Sequence, residues 1–144
     1  MTKKIIFILG QIIFFVSCSN KYLRTQPIPQ TKISVDKEMA YIENTDQTDR
    51  KKTVMRILLF HNGKTAKCVW QRDSIRVARV RALIKDELIQ SDSAKFSAGI
   101  VLFHNGYSKR ALKQFNDVNA RTTNIGMKLN SQTWINICKK DTAR

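Results

Sequence analysis

Two apolar runs in the C-terminal two thirds of the chain end in the same pentapeptide, Leu-Phe-His-Asn-Gly, at residues 59–63 and 102–106. Asn-Gly tolerates the positive φ angles of tight turns better than other pairs, and it commonly connects the strands of a hairpin. The pattern therefore predicts strands over residues 54–60 and 98–103. Residues 65–70 are again apolar and β-favouring, so a hairpin is predicted around the first Asn-Gly.

Two later segments show the 3.6-residue spacing of an amphipathic helix. The first runs from a cap at Asp73 or Ser74 to Gln90, and the second from a cap at Ser108 to Asn119. The predicted inner faces consist of Val77, Val80, Ile84 and Leu88 in the first helix, and of Ala111, Leu112, Phe115 and Val118 in the second.

The C-terminal segment returns to a strand pattern. Residues 125–129 are predicted to form a strand, and residues 133–138 alternate like an edge strand. The expected fold is therefore α+β, a small sheet in β-β-α-β-α-β order. Right-handed crossovers would pack both helices on one face of that sheet.

This order of elements resembles the periplasmic domain of the biopolymer-transport proteins that couple to TonB and Tol systems. The resemblance is one of topology and implies at most a shared fold. The membrane helix of that family carries an essential aspartate, whereas residues 5–16 here contain no acid, so motor coupling is not implied. A ferredoxin-like split βαβ arrangement would give nearly the same string of elements.

The N-terminus has the order of an export signal. Lys3 and Lys4 precede an apolar run at residues 5–16, which leads to a small residue and a cysteine, Ser17-Cys18. The run is short against the ~20 residues that a transmembrane helix requires, so a cleaved signal is favoured over an uncleaved anchor.

The same residues resemble the lipobox of bacterial lipoproteins. Val16, Ser17 and Cys18 fit that pattern, while Phe15 replaces the usual leucine. The resemblance implies cleavage after Ser17, and it implies a thioether-linked diacylglyceryl group and an amide-linked acyl chain on Cys18. One acyl chain anchors only marginally, so the three implied chains would make desorption negligible.

The residues behind Cys18 indicate where the anchored protein resides. The familiar inner-membrane retention signal is an aspartate after the cysteine, and Ser19 stands there instead. The expected location is the periplasmic face of the outer membrane. Residues 18–51 are interpreted as a lipidated tether that contains Pro27 and Pro29 and continues into an acidic loop at residues 36–49. The folded domain is predicted over residues 52–144.

Charge is the second global signal. The chain has 26 Lys and Arg against 11 Asp and Glu, and loss of Lys3 and Lys4 with the signal would lower its formal charge from +15 to +13. Residues 50–85 contain eleven bases and one acid. We expect Arg72, Arg76 and Arg79 to form an anion-binding surface that steers acidic ligands.

The compartment restricts what that surface would bind. The anions available in the periplasm are lipopolysaccharide or phospholipid head groups, peptidoglycan carboxylates and acidic faces of envelope proteins, and nucleic acid is not an expected partner. An ordinary solvated basic face without a specific ligand is the alternative.

The cysteines agree with an oxidising compartment. With Cys18 lipidated, Cys68 and Cys138 remain as an even pair, and a disulfide between them is predicted. It would close a loop of about 70 residues, for which the chain-entropy estimate is on the order of 4 kcal/mol. Two buried free thiols are the alternative.

Catalytic and metal-binding signals are weak. His61, His104, Cys68 and Cys138 have the residue types of a zinc site but no metal-ligand spacing, and each histidine adjoins a turn asparagine. No catalytic, metal or cofactor site is predicted. We therefore expect a non-enzymatic outer-membrane lipoprotein whose basic domain binds an acidic envelope partner or serves an envelope assembly. A small periplasmic hydrolase or protease-inhibitor-like module is the alternative.

Overall fold

The computed structural model describes residues 26–60 and 63–143, apart from the side chains of residues 52–60 and 63–68. These residues form five α-helices: α1 Val35–Phe60, α2 Gly63–Lys85, α3 Asp92–His104, α4 Ser108–Arg121 and α5 Ile125–Thr142. The described ranges contain no strand. The predicted α+β fold, with its β-β-α-β-α-β sheet, is therefore wrong, and the described chain is all-helical.

The predicted strand at residues 98–103 lies inside α3, the most apolar of the helices. Ser91 caps this helix, and its Oγ accepts a hydrogen bond from the Ala94 N–H at 3.1 Å. Most of α3 is buried, including all residues from Ser97 to Leu102. A helix that is apolar on all sides has no amphipathic period, and a short apolar run of this kind is indistinguishable from a buried strand by pattern alone.

The second Asn-Gly pair ends α3 instead of turning a hairpin. Gly106 adopts a φ of +78°, its N–H donates to the Phe103 carbonyl at 3.0 Å, and the Tyr107 N–H donates to the Leu102 carbonyl at 2.9 Å. This is the Schellman arrangement of a helix C-terminus, which needs the same positive φ as a tight hairpin turn. Residues 61–62, which include His61, lie outside the described residues.

The other predicted strands are helical as well. Residues 54–60 belong to α1, residues 65–70 to α2, and the two C-terminal segments are both parts of α5. The Asn124 side chain caps α5 by accepting from the Met127 N–H at 2.9 Å. The buried residues of α5 are Ser131, Ile135 and Cys138, which follow a helical spacing.

The two helix predictions are closer to the structure. The segment 108–119 is confirmed as part of α4, with Ala111, Phe115 and Val118 buried, but the N-cap is Tyr107 and not the predicted Ser108. The helix predicted from residue 73 is the C-terminal part of the longer α2, with Val77 and Val80 buried. That helix ends at Lys85, so the predicted inner residue Leu88 lies beyond it and is about half exposed.

Helix α3 lies at the centre of the described fold. It packs against α1, α2 and α4, while α4 packs on α5. The closest approach is at Gly99, where a Cβ atom would lie 2.6 Å from Cε1 of Phe115. The Phe115 ring in turn stacks on Trp134 of α5 with 5.7 Å between the ring centroids. Helices α3, α4 and α5 therefore share an aromatic and aliphatic core.

The acidic segment at residues 36–49 is helical, so the prediction of a loop there is wrong. It forms the first half of α1, which runs across the domain boundary predicted between residues 51 and 52. All five of its acids have hydrogen-bonding or ion-pair partners in the described chain: Asp36, Glu38, Glu43, Asp46 and Asp49. Partners on other helices, together with buried Met39 and Ile42, fix this segment as part of the folded domain.

The cysteine and anchor predictions have separate outcomes. Cys138 is a free and fully buried thiol, so the predicted bridge to Cys68 is not formed, and the Cys68 side chain lies outside the described residues. Burial and the nearby Asp141 carboxylate raise the pKa of the Cys138 thiol. The predicted signal peptide and Cys18 also lie outside the described residues. None of the helices in the described ranges is long and apolar enough to cross a membrane.

Candidate functional site: an ionic helix junction and a basic cleft

The junction between α1 and α2 contains buried charged side chains in addition to apolar ones. Arg76 of α2 is completely buried, and its guanidinium is enclosed by oxygen acceptors. Nη1 donates to Asp73 Oδ1 at 2.7 Å, Nη2 donates to Asp49, and Nε donates to Thr45 Oγ1 at 3.2 Å. A buried cation is tolerated only when it is paired and hydrogen-bonded in this way.

The neighbouring arginines of α2 are also engaged by α1. Arg72 is nearly buried, and its Nε lies 3.0 Å from Asp49 Oδ2. Burial lowers the pKa of Arg72, an effect that the Asp49 carboxylate partly offsets. Arg79 donates to both carboxylate oxygens of Glu38, from Nε at 2.6 Å and from Nη2 at 3.0 Å. These hydrogen bonds raise the pKa of Arg79.

Arg50 connects the acids of both helices. Its Nε and Nη2 donate to the two oxygens of Asp46, one turn earlier in α1, at 3.1 and 3.0 Å. Its Nη2 also donates to Asp73 Oδ2 of α2 at 3.3 Å. Burial raises the pKa of Asp73 because the attraction of Arg50 and Arg76 does not outweigh desolvation and the repulsion of Asp46.

The structure therefore brings together all three arginines that were predicted to bind anions, but it pairs them with carboxylates of the same chain. Arg72 and Arg76 are buried, and only Arg79 keeps much exposure, with 41% of its side chain accessible. The exposed surface expected of these three residues is not formed. The acidic partner of this stretch of α2 is the acidic segment of α1.

His104 adds the end of α3 to the network. Its Nδ1 lies 2.6 Å from Asp46 Oδ2, and 16% of its side chain is exposed. Burial alone would raise the pKa of Asp46, but the hydrogen bonds from His104 and Arg50 outweigh it and lower that pKa. An anionic carboxylate can only accept, so the proton of this hydrogen bond lies on Nδ1 of His104. In the sequence His104 adjoins the turn residue Asn105, which indicates only turn chemistry. Its partner Asp46 lies 58 residues away, so no local spacing reveals the contact.

A cleft of about 630 Å³ separates α2 from α4 on another part of the molecule. Its lining is basic and aliphatic: Ala78, Arg81, Ala82, Ile84 and Lys85 from α2, and Arg110, Lys113 and Gln114 from α4. No carboxylate is present among these lining residues. None of the four cations forms an ion pair within the described part of the chain.

Tyr107 fixes the geometry of two of these cations. The guanidinium carbon of Arg81 lies 5.8 Å from the centroid of the Tyr107 ring, and that of Arg110 lies 5.9 Å from it. Both distances are within the range of cation–π attraction. Two arginines from different helices are therefore positioned on a single aromatic side chain that is itself 38% exposed.

The cleft could not be found from the sequence alone. Arg81 and Lys85 belong to the basic stretch that was singled out, but Arg110 and Lys113 lie about 30 residues later on a helix that was expected to pack on a sheet. Only the packing of α3 against both α2 and α4 brings the two pairs together. Within the described residues, no group of three or more His, Cys, Asp or Glu side chains could hold a metal ion.

Comparison with protein-family models, curated proteins and solved structures finds no match for this chain. The assignment of function therefore depends on the geometry of the two charged regions.

Proposed function

We propose that this chain is a lipid-anchored protein of the bacterial envelope whose helical domain binds an anionic partner in the cleft between α2 and α4. The anchor is Cys18, and the location is the periplasmic face of the outer membrane, as the lipobox resemblance and Ser19 imply. The partner belongs to the anionic material of the envelope.

The observation that carries the proposal is the contrast between neutralised and free cations on α2. Arg72, Arg76 and Arg79 have carboxylate partners within the chain, whereas Arg81 and Lys85 face the cleft without one among the described residues. Arg110 and Lys113 face the same cleft from α4. Four like charges around one space repel each other, and a bound anion relieves that repulsion.

A cleft variant with a matched control tests the proposal. In the cleft variant Arg81 and Arg110 are replaced by glutamine, and in the control Lys128 and Lys139, two exposed cations of α5 outside the cleft, are replaced likewise. Both variants lose two charges. Sedimentation with lipopolysaccharide vesicles and with peptidoglycan at low and moderate salt measures the binding.

The proposal predicts that wild type and control bind one of these materials, more weakly at moderate salt because exposed charges are screened over about 10 Å at 0.1 M. The cleft variant should lose at least about tenfold in affinity, equivalent to about 1.4 kcal/mol. Equal binding by both variants, or binding that does not respond to salt, would contradict the proposal.

The anchor has its own test. Cys18→Ala should leave the protein unprocessed or release it from the membrane fraction, since the lipidated sulfur is lost. Unchanged processing together with unchanged membrane retention would show that Cys18 does not carry the anchor.

A periplasmic hydrolase remains the second candidate, because Asp46 holds His104 by Nδ1, as a carboxylate orients a general-base histidine in many hydrolases. Hydrolysis of ester or amide substrates by the wild type that is lost in His104→Gln would favour this candidate. The absence of hydrolysis in the wild type, or equal hydrolysis by the variant, would leave His104 as a structural residue of the ion network.

A further inference from the structure

The cleft between α2 and α4 combines cations with aliphatic surface. Ala78, Ala82 and Ile84 contribute apolar side chains between the cations, and each is at least partly exposed. A small inorganic anion would leave this apolar surface in water. An anion with an aliphatic part would cover this surface and remove it from water, which favours binding.

The size of the cleft also indicates a ligand larger than a single ionic group. Its volume of about 630 Å³ lies within the range of small-molecule sites, roughly 300 to 1,000 Å³. A bare phosphate or carboxylate would fill only a small part of it.

The arrangement of the cations indicates a phosphate rather than a single carboxylate. Tyr107 holds the guanidinium groups of Arg81 and Arg110 near one ring. One carboxylate has two oxygens, which one guanidinium fork can occupy alone, whereas a phosphate monoester presents three terminal oxygens and about two negative charges. A monoester can therefore be shared by two arginines, and Lys85 and Lys113 supply further positive charge. Arg110 also lies in the first turn of α4, where the helix dipole favours anions.

We propose that the cleft binds a membrane lipid whose head group is a phosphate monoester. The phosphate lies between Arg81 and Arg110, and the glycerol and first acyl carbons lie along Ala78, Ala82 and Ile84. Tyr107 acts as a positioning residue for the two guanidinium groups. This inference rests on the proposed function, since it names the chemistry of the anion that the same cleft binds.

The experiment is isothermal titration calorimetry of the full chain in neutral detergent with four probes. Dihexanoyl phosphatidic acid has the monoester and short acyl chains, and dihexanoyl phosphatidylglycerol has a phosphodiester with the same chains. Glycerol 3-phosphate has the monoester without acyl chains, and poly-glutamate presents carboxylates alone.

We expect dihexanoyl phosphatidic acid to bind at least about tenfold more tightly than each of the other three probes. Arg81→Gln with Arg110→Gln should remove that preference, and the Lys128→Gln, Lys139→Gln control should keep it. Tyr107→Ala should weaken binding several-fold, whereas Tyr107→Phe, which retains the ring face, should restore it. If Tyr107 had only a structural role, Tyr107→Ala would weaken the binding of phosphatidic acid and of poly-glutamate alike.

The other results overturn the inference in distinguishable ways. If dihexanoyl phosphatidylglycerol binds as tightly as dihexanoyl phosphatidic acid, the cleft does not select a phosphate monoester. If glycerol 3-phosphate binds as tightly as dihexanoyl phosphatidic acid, the phosphate ligand is not a lipid. Tight, cleft-dependent binding of poly-glutamate alone refutes the phosphate and leaves the proposed anion-binding function standing, with an acidic protein as the partner. Binding of no anion by the wild type refutes both.

Discussion

The two halves of the described fold share one apolar core, but they differ in the polar contacts that are added to it. Between α3, α4 and α5, Phe115 lies against Gly99 and stacks on Trp134, and an ion pair between Lys95 and Asp117 also joins α3 to α4. Between α1 and α2 the contacts include buried arginines and aspartates, centred on Arg76. Apolar contacts are non-directional, whereas a buried ion requires a partner of opposite charge within hydrogen-bonding distance. The ionic junction therefore fixes which face of α2 points inward.

The ionic junction also divides the cations of α2 into two sets: those that are paired within the fold and those that a ligand could bind. The arginines that face α1 are paired with carboxylates, and the cations that face α4 are not paired with any carboxylate in the part of the chain that the structure describes. A high net charge alone cannot distinguish the two sets. We infer that the unmatched set is the part of the basic chain that acts on other molecules.

The largest expected effect comes from removing the buried cation at the ionic junction. Arg76→Met leaves Asp49 and Asp73 without their central partner, and breaking a buried pair costs about 3–5 kcal/mol. The free energy of unfolding in urea should fall by that amount, and Arg76→Lys should lie between Met and wild type.

Arg121→Gln provides the exposed control for this prediction. Arg121 lies 3.8 Å from Asp117 on the surface of α4, and such pairs contribute about 0–1 kcal/mol. A loss at Arg76→Met no larger than that at Arg121→Gln would contradict the structural role of the ionic junction.

The second effect concerns the apolar half. Gly99→Ala places a methyl group 2.6 Å from Cε1 of Phe115, and overpacking of this kind typically costs about 1–3 kcal/mol. Gly126→Ala is the matched control in α5, because its new Cβ meets only Asn124 Oδ1 at 3.4 Å. Thermal melting should show a clear loss for the first and little change for the second. An equal change in both would indicate that α3 and α4 do not pack this closely.

The smallest expected effect is on the pH dependence of stability. The pKa of Asp46 is lower in the folded protein than its ordinary value of 3.8, so its contribution is complete above that value and is lost as the pH falls towards the folded pKa. Asp73 has the opposite sign, because its raised pKa makes protonation easier in the folded state. Urea titrations at a series of acidic pH values should therefore give a shallower slope just below the ordinary aspartate pKa for Asp46→Asn, and a steeper slope just above that value for Asp73→Asn. Parallel curves for all three proteins would rule out this account of the network.

The sequence predicts those helices whose polar and apolar residues follow the usual inside–outside rule. Helix α4 is predicted almost completely, because Ala111, Phe115 and Val118 are apolar and buried while its charged residues lie outside. Helix α1 inverts that rule, since Glu38 and Asp46 occupy buried positions that a hydropathy pattern assigns to solvent. The polar run from Asn44 to Thr48 therefore indicated a loop.

The turn at Asn105-Gly106 and the cleft between α2 and α4 show a second limit to what the sequence predicts. Asn105-Gly106 requires a positive φ in a hairpin turn and in a helix C-terminus alike, so the pair predicts the turn but not the element that precedes it. The candidate site depends on tertiary contacts: neither the partner of His104 on α1 nor the approach of Arg110 to Tyr107 and Arg81 has a sequence spacing that reveals it.

The most direct test of the central claim compares two arginines that are two residues apart on α2. Arg79 is held by Glu38, and Arg81 lies in the cleft beside Tyr107 without a carboxylate partner in the described chain. Calorimetric titration of Arg79→Gln and Arg81→Gln with dihexanoyl phosphatidic acid measures how each charge contributes to binding. We predict that Arg79→Gln binds within about twofold of wild type and that Arg81→Gln loses at least about tenfold, or about 1.4 kcal/mol. Equal losses in the two variants would mean that net charge alone governs binding, and a larger loss at Arg79 would place the binding surface outside the cleft.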